Sequence, residues 1–422
     1  MEKRETKNLE YKKEVTKTYL KTVSAYANFG DGEIHFGVDD NGKIVGLDDP
    51  KKDALNIENQ VNDSVKPVPN FTIDIDERNR TVNLTIRQGV NKPYFYNGKV
   101  YKRSDSSSVE VDRFELNRLI LEGNNEDFEA LPAKIKDLEF KYLERKLIEK
   151  LEIKEINADI LKTLSLYQDK AGYNIAAELL SDSNAFPGIE YIQFGSNINT
   201  IVRHENLSGF STIEQVDRIM SVFEQLYVYE EINNAQRETV ELVPVKAFRE
   251  VIANAIVHRE WDLKTSIKIS MYSDRVEVVS PGGLPSGISE KEYLNGQVSL
   301  LRNPILGNVF FRLGYIEKFG TGIRRVLNSY ETSFKKPEFE FSQNSILVKL
   351  PKLLKEVSNM SSDEYIIYNI MNNNNSYRRK DLEEESGFNK DKVIRLVNKL
   401  IETGLVERYG SGPEAKYIKT MK

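Results

Sequence analysis

Apolar residues recur at a helical period between Thr16 and Asn28, where Tyr19, Leu20, Val23 and Ala27 predict one helix. Gly30-Asp31-Gly32 then breaks it. Ile34, Phe36 and Val38 alternate with polar neighbours, which predicts a strand over Glu33–Val38. Asp40-Asn41-Gly42 is a turn signal, so Lys43–Leu47 is expected to return as its hairpin partner. Further strands are expected at Phe71–Asp76, Val82–Arg87 and Val100–Arg103, then a helix over Asp112–Glu122 capped by Asp112. The polar, proline-containing stretch 123–136 reads as a linker, and 352–363 as a second. Between the linkers, Phe248, Val251, Ile252, Ala255 and Ile256 form an apolar stripe, so Pro244–Glu260 is expected to be helical. Strands are expected at Ser266–Met271 and Arg275–Val279.

The tail has its own pattern. Helices are expected at Asp363–Met371, Tyr377–Glu385 and Asn389–Thr403, the last carrying Val393, Leu396, Val397, Leu400 and Ile401 at helical spacing. Gly404 stops it. Leu405–Tyr409 and Ala415–Ile418 then read as a two-strand wing, and three helices plus a hairpin predict a winged helix-turn-helix over 363–422. The fold class is therefore α+β, in several domains.

With 422 residues, 39% of them apolar and 30% charged, the chain is a folded protein of more than one domain. It has no cysteine, which excludes disulfides, thiolate nucleophiles and Cys-ligated zinc. Its only histidines are His35, His204 and His258, so a metal would be a hard ion on carboxylates, Mg²⁺ or Mn²⁺. A net charge of −5 provides no global basic field, and contact with nucleic acid would need a local patch. The charged beginning MEKRETKNLEYKK has no apolar core, and no apolar run reaches membrane-spanning length, so a cytoplasmic protein without a membrane partner is expected.

Glu5, Glu10, Asp39 and Asp40 are the notable acids near the start, with Lys12 beside Glu10. Phosphodiester chemistry with divalent ions needs two or three carboxylates around one point. Surface acids and a turn aspartate would look the same. The segments ETKNLEYKKE, VSAYANFGDGEIHFGVDDNGKIVGL and KPYFYNGKVYKRSDSSS resemble the Schlafen-type AlbA-like domain. Tyr26 and Phe29 stand where the family usually has Phe and Thr, and Asp31 where a second Gly is common. The resemblance implies an AlbA-like domain over 1–122. By analogy with RNA-cleaving vertebrate members, it implies catalytic and metal-holding roles for Glu5, Glu10 and Asp40, with Asp39 as the alternative. Lys12 and Arg103 are its candidate nucleic-acid contacts.

Glu250 and Asn254 are four apart and share one helix face. Such a pair can position a water and ligate Mg²⁺. A Ser280-to-Pro285 loop follows, and Gly320-Thr321-Gly322 opens a later helix, where free N–H groups favour anions. Packing or capping explains each piece equally well alone. Together, REVIANAIVHREW, SPGGLP, SLLRNP and IEKFGTGIRRV resemble the gyrase, chaperone and histidine-kinase (GHKL) ATPases, and more closely the RecG-like C-terminal region behind bacterial AlbA-like domains. That implies a GHKL-like α/β sandwich over 130–350 with ATP and Mg²⁺ as cofactors. Glu250 would be the water-positioning acid and Asn254 the Mg²⁺ ligand. Gly282, Gly283, Gly320, Thr321 and Gly322 would surround the nucleotide. Ser280 stands where active members have the aspartate that accepts from adenine, which argues for binding over hydrolysis. No G-x4-G-K-[ST] motor motif supports a helicase. Ser299, Arg302 and Asn303 are expected to line the same cleft or to serve as caps and ion pairs, and His258 is read as structural.

In the tail, Lys390, Lys392 and Arg395 fall in the first two turns of the expected recognition helix and are candidates for DNA contact. The reading is thus a nucleotide-responsive nucleic-acid-binding protein, a DNA-binding transcriptional regulator able to form homo-oligomers. DNA is favoured over RNA as partner. The alternative is a metal-dependent ribonuclease or tRNA nuclease of phage defence.

Overall fold

The computed structural model describes residues 4–233, 236–285, 288–296, 300–316, 321–331, 333, 335–353, 360–371, 375–410, 412 and 415–420. Two compact units divide the chain, Met1–Leu131 and Pro132–Lys422.

The first unit is built on a four-stranded sheet. Its strands are β1 (Leu9–Lys12), β2 (Gly32–Phe36), β4 (Asn70–Asp76) and β5 (Thr81–Arg87), in the order β1-β2-β5-β4. β1 runs parallel to β2, with Glu10 opposite Ile34. β2 and β4 both pair antiparallel with β5. Helix α1 (Leu20–Phe29) and helix α2 (Pro50–Ser64) bury Leu20, Val23, Ala27, Ile57 and Val61 against Ile34, Phe36, Val82, Leu84 and Ile86. Burial of these side chains is the main favourable term of the unit. A short pair, β3 (Val65–Lys66) with β6 (Phe95–Tyr96), and a hairpin, β7 (Tyr101–Ser104) with β8 (Ser107–Glu110), complete it before helix α3 (Arg113–Asn124). Asp112 caps α3 as expected, accepting from the amides of Phe114 and Glu115.

One element differs from expectation. Lys43–Leu47 is not a strand; a single bridge joins Val38 to Ile44. β2 already has β1 and β5 on its two sides, so no ladder position beside it is free for a returning strand, and Gly42 and Gly46 take φ 77° and 76° in the turning chain.

In the second unit, helices α4 (Lys141–Leu151), α5 (Ala158–Thr163) and α6 (Ile175–Leu180), with the small ladder β9 (Tyr167–Gln168) and β10 (Gly172–Tyr173), precede a six-stranded mixed sheet. That sheet contains β11 (Ile189–Phe194), β12 (Ile201–Asn206), β15 (Ile267–Met271), β16 (Arg275–Pro281), β17 (Glu338–Phe341) and β18 (Ser345–Pro351), ordered β12-β11-β15-β16-β18-β17. Helix α7 (Thr212–Tyr227) leads into the hairpin β13 (Val228–Asn233) and β14 (Gln236–Glu241), then helix α8 (Val245–Val257). Phe223 of α7 and Phe248 of α8 stack with ring centroids 3.9 Å apart. Helices α9 (Glu290–Leu294), α10 (Pro304–Arg312) and α11 (Gly322–Asn328) follow, and α8 packs on β16, α10 and α11.

The tail holds helices Ser362–Ile370, Arg379–Ser386 and Lys390–Glu402 with strands β19 (Ser376–Arg378), β20 (Val406–Tyr409) and β21 (Lys416–Lys419). These strands are ordered β19-β21-β20, so the sheet has three strands where two were expected. Its own core includes Ile367, Leu382, Val393, Leu396, Leu400 and Val406. Among the described residues, no helix is long and apolar enough to cross a membrane.

Candidate functional site

In the first unit the edge strand β1 carries an acid into the interior. Glu10 is buried, with 4% exposure. Its Oε2 accepts from Thr22 Oγ1 at 2.6 Å and from Arg103 Nη1 at 2.6 Å. Its Oε1 is 2.7 Å from Lys12 Nζ. Arg103 also donates to Ser108 Oγ at 3.2 Å and to the Thr6 carbonyl at 3.4 Å. Glu5 lies close by, its Oε1 accepting from the Tyr11 amide at 2.9 Å. Gly32 leaves room for the Tyr26 ring, which a Cβ at that position would meet at 2.4 Å. The Tyr26 hydroxyl is buried without a hydrogen-bond partner. Burial raises its pKa well above the ordinary tyrosine value; Arg103 opposes the shift, and Glu10, Glu5 and Glu33 add to it.

This geometry corrects two expectations. Asp40 is exposed in the turn after β2, and Asp39 spends its carboxylate on the amides of Asn41 and Lys43. Among the described residues no three histidines or acids gather as a metal-binding group. Glu5, Glu10 and Asp40 therefore do not form the expected metal set, and Glu10 is held by two cations and a hydroxyl instead of facing a reactant. The residues as placed do not fit a two-metal centre. Arg103, expected to meet phosphate, is 9% exposed and engaged by Glu10. Lys12 is likewise paired with that carboxylate.

In the second unit the expected residues do converge. α8 presents Glu250, 4% exposed, and Asn254 one turn later, whose Nδ2 donates to Glu250 Oε1 at 3.4 Å. The start of α11 lies directly on this pair: a Cβ at Gly322 would stand 2.0 Å from Glu250 Oε1 and 3.0 Å from Asn254 Nδ2. Residues some 70 positions apart thus meet because α8 and α11 pack face to face over β16 and β18. Beside them is a narrow, mainly apolar cleft with a cavity volume of about 30 Å³, with Val251, Ala255, Val278 and Val348 in its wall and Asn254, His258 and Ser280 as polar groups. Ser280 Oγ donates to the Ala255 carbonyl at 2.8 Å. His258 Nδ1 is buried without a partner. Burial, helped by Arg302, pushes its pKa down to about 4, so the ring is neutral. Thr321 is the N-cap residue of α11 and makes no side-chain cap bond. Gly320 and Ser299 lie outside the described residues.

The other glycines serve packing. Gly282 has φ 105°, and a Cβ there would meet Arg302 Nη1 and Glu260 Cγ at 2.8 Å. A Cβ at Gly283 would meet the Gln343 carbonyl at 2.5 Å. The close neighbours of both positions include protein atoms. Arg302 donates to the carbonyls of His258 (2.8 Å) and Gly283 (3.0 Å), and Asn303 Nδ2 donates to those of Val257 (3.0 Å) and Arg259 (2.8 Å). Neither Arg302 nor Asn303 lines the cleft. Sequence reasoning missed Arg259, fully buried and donating to the carbonyls of Pro187, Leu263 and Thr265 over the Trp261 ring. No periodicity or spacing marked it.

In the tail, Lys390 and Arg395 are exposed on their helix. Lys392 is half-buried, 2.9 Å from Asp363 and over the Phe388 ring.

Two family models match this chain. Residues 5–112 match the one described as "Schlafen, AlbA_2". Residues 264–350 match "Putative ATP-dependent DNA helicase recG C-terminal". The chain is therefore Schlafen AlbA_2-like across its first unit and RecG C-terminal-like across β15 to β18. Among solved structures, the DIP2311 protein from Corynebacterium diphtheriae is 16% identical, with 98% of this chain and 92% of that one covered and a TM-score of 0.49. The N-terminal domain of a RecG-related protein from Nitrosomonas europaea is 20% identical over 25% of this chain and 80% of that one, at a TM-score of 0.19. A histidine kinase domain from Erythrobacter litoralis EL346 is 14% identical over 51% of this chain and 94% of that one, at a TM-score of 0.18. No curated protein matches.

Proposed function

We propose that the chain is a nucleotide-responsive nucleic-acid-binding protein that regulates transcription. In this reading residues 1–122 form an AlbA-like module, 130–350 a nucleotide-sensing module, and 363–422 a winged helix that meets DNA. The observation that carries it is the cleft beside α8. Asn254 of α8, Ser280 of β16 and Ile323 at the start of α11 line it from three separate segments, with Glu250 packed next to them under Gly322, in and beside the stretch similar to the RecG C-terminal family.

The Ser280 hydroxyl supports adenine recognition in a form the sequence did not suggest. Its proton is committed to the Ala255 carbonyl, so toward the cleft the oxygen offers only lone pairs. An exocyclic amine requires an acceptor. Asn254 would hold the Mg²⁺ of a bound Mg-nucleotide through its amide oxygen, and the ion would shield the phosphate charge. Glu250 packs against α11 and so links the occupied cleft to that helix. The neutral His258 lets an uncharged base sit beside it.

For DNA, the tail supplies the order helix, strand, two helices and two strands, with Lys390 and Arg395 outermost on the third helix. Cations in that position meet phosphates and base edges in winged-helix proteins. The nuclease reading is disfavoured by the two cations clamped on Glu10.

The test is fluorescence anisotropy of the full chain on duplex DNA and on RNA at low salt, with and without a non-hydrolysable ATP analogue and Mg²⁺. DNA affinity that changes several-fold with the analogue supports the proposal. No affinity for either nucleic acid, or none for the nucleotide by calorimetry, overturns it.

A further inference from the structure

The second unit holds another pocket, separate from the cleft beside Glu250. Three elements remote in sequence build it. α4 contributes Lys146 and Lys150, one turn apart; α8 contributes Arg249; the turn after α10 contributes Leu313, Gly314 and Tyr315. Its cavity volume is about 170 Å³, and it shares no lining residue with the cleft. Arg249 and Glu250 are consecutive, so the helix turns them roughly 100° apart, toward different surroundings.

Behind this pocket is a carboxylate that is already satisfied. Asp217 accepts from the hydroxyls of Tyr142 (2.7 Å) and Tyr315 (2.6 Å) and lies 2.7 Å from Lys146 Nζ. That set uses one of the three cations. Lys150 is exposed and makes no ion pair among the described residues. Arg249 is half-buried, and its Nε is fully buried without a hydrogen-bond partner. With Nε closed off by the surrounding protein, the Arg249 guanidinium meets a ligand through its two Nη groups, which lie in one plane and pair with two oxygens of a carboxylate or phosphate.

We propose that this pocket binds a phosphate-type oxyanion. Arg249 takes two oxygens through its fork, Lys150 supplies the second positive charge, and Lys146, held in place by Asp217, lines the wall. The Asp217 carboxylate does not repel the anion strongly, because Lys146 and two hydroxyls neutralise and shield it. The anion is either free inorganic phosphate or pyrophosphate, or the phosphate end of a nucleotide.

Calorimetric titration of the full chain with inorganic phosphate, pyrophosphate and ADP, at constant ionic strength, tests this. Saturable binding of at least one of them is expected, weakened at least tenfold by Arg249→Gln and by Lys150→Gln. Lys154→Gln, another exposed cation, should bind as wild type. Binding of phosphate or pyrophosphate as tight as that of ADP identifies the free anion as ligand; binding of ADP alone identifies the nucleotide end. Lys150 is on the surface, so its replacement keeps the fold even where Arg249→Gln perturbs it. Absence of saturable binding by all three anions, or anion binding that survives both substitutions, overturns the proposal. In the second case ADP occupies the cleft beside Glu250 instead.

Discussion

Replacing Arg103 by Met separates the two roles available to this side chain, phosphate contact and internal clamp. Arg103 and Glu10 lie 93 positions apart, and their side chains are 4% and 5% exposed. Removing the guanidinium deletes the 2.6 Å bond to Glu10, the 3.2 Å bond to Ser108 and the 3.4 Å bond to Thr6. Breaking a buried ion pair from one side costs about 3–5 kcal/mol. Lys12, 2.7 Å from the other oxygen and partly solvated, remains to compensate Glu10, so about 2–4 kcal/mol is expected here. Amide exchange read by mass spectrometry on peptides from β1, β2 and β5 follows the opening of this unit without interference from the second. At 1.36 kcal/mol per decade, exchange there should accelerate about 30- to 900-fold. Adding Glu10→Gln should recover part of that loss, because a neutral amide tolerates the missing charge. The same protein should keep its salt dependence of nucleic-acid binding, since a clamped guanidinium releases no counterions. Unchanged exchange together with a salt slope reduced by about 1 would refute the clamp and restore Arg103 to the phosphate-contacting residues.

Gly322→Ala should lower the thermal midpoint and weaken nucleotide binding, because its methyl carbon would stand 2.0 Å from Glu250 Oε1; overpacking of this kind costs about 1–3 kcal/mol, and a variant as stable as wild type would show that α11 is not seated on Glu250. His258 makes stability fall on acidification. The unfolded ring takes up its proton near 6.5 and the folded one only near 4, so the contribution is whole above 6.5 and is lost as pH drops toward 4. Urea unfolding at pH 7 and pH 5 should show wild type losing about 2 kcal/mol more than His258→Gln, and equal losses contradict a buried neutral ring. Lys390→Gln and Arg395→Gln should each reduce the salt slope of DNA binding by about 1, measured by anisotropy at several salt concentrations. Lys392→Gln should change it less, because Asp363 already neutralises that cation.

The elements written in local periodicity were legible in the sequence. The stripe from Phe248 to Ile256 became α8, and the alternations at 71–76 and 82–87 became β4 and β5. Helix α2 was not expected, although Asp49 and Pro50 signal its start, because only Ala54, Ile57 and Val61 are buried along its 15 residues. β1 escaped for a related reason. In LEYK two of four residues are charged, and one of them, Glu10, points into the protein, where only a partner 93 residues away makes that tolerable. The convergence of Glu250, Asn254 and Gly322 followed from motif order. The isolation of Asp40 did not, since it depends on where the chain turns after β2. The packing roles of Gly282 and Gly283 required knowing which carbonyls and side chains pass beside them.

The dipeptide Arg302-Asn303 grips the carbonyls of Val257, His258, Arg259 and Gly283. Through it the glycine loop and the end of α8 are geared to one another. Lifting the loop draws the guanidinium along, and that tugs on the helix terminus whose interior turns carry Glu250 and Asn254. Substituting Arg302 would slacken that linkage, leaving the Ser280 bond to the Ala255 carbonyl and the Glu260 amide bond to the Pro281 carbonyl to carry it alone.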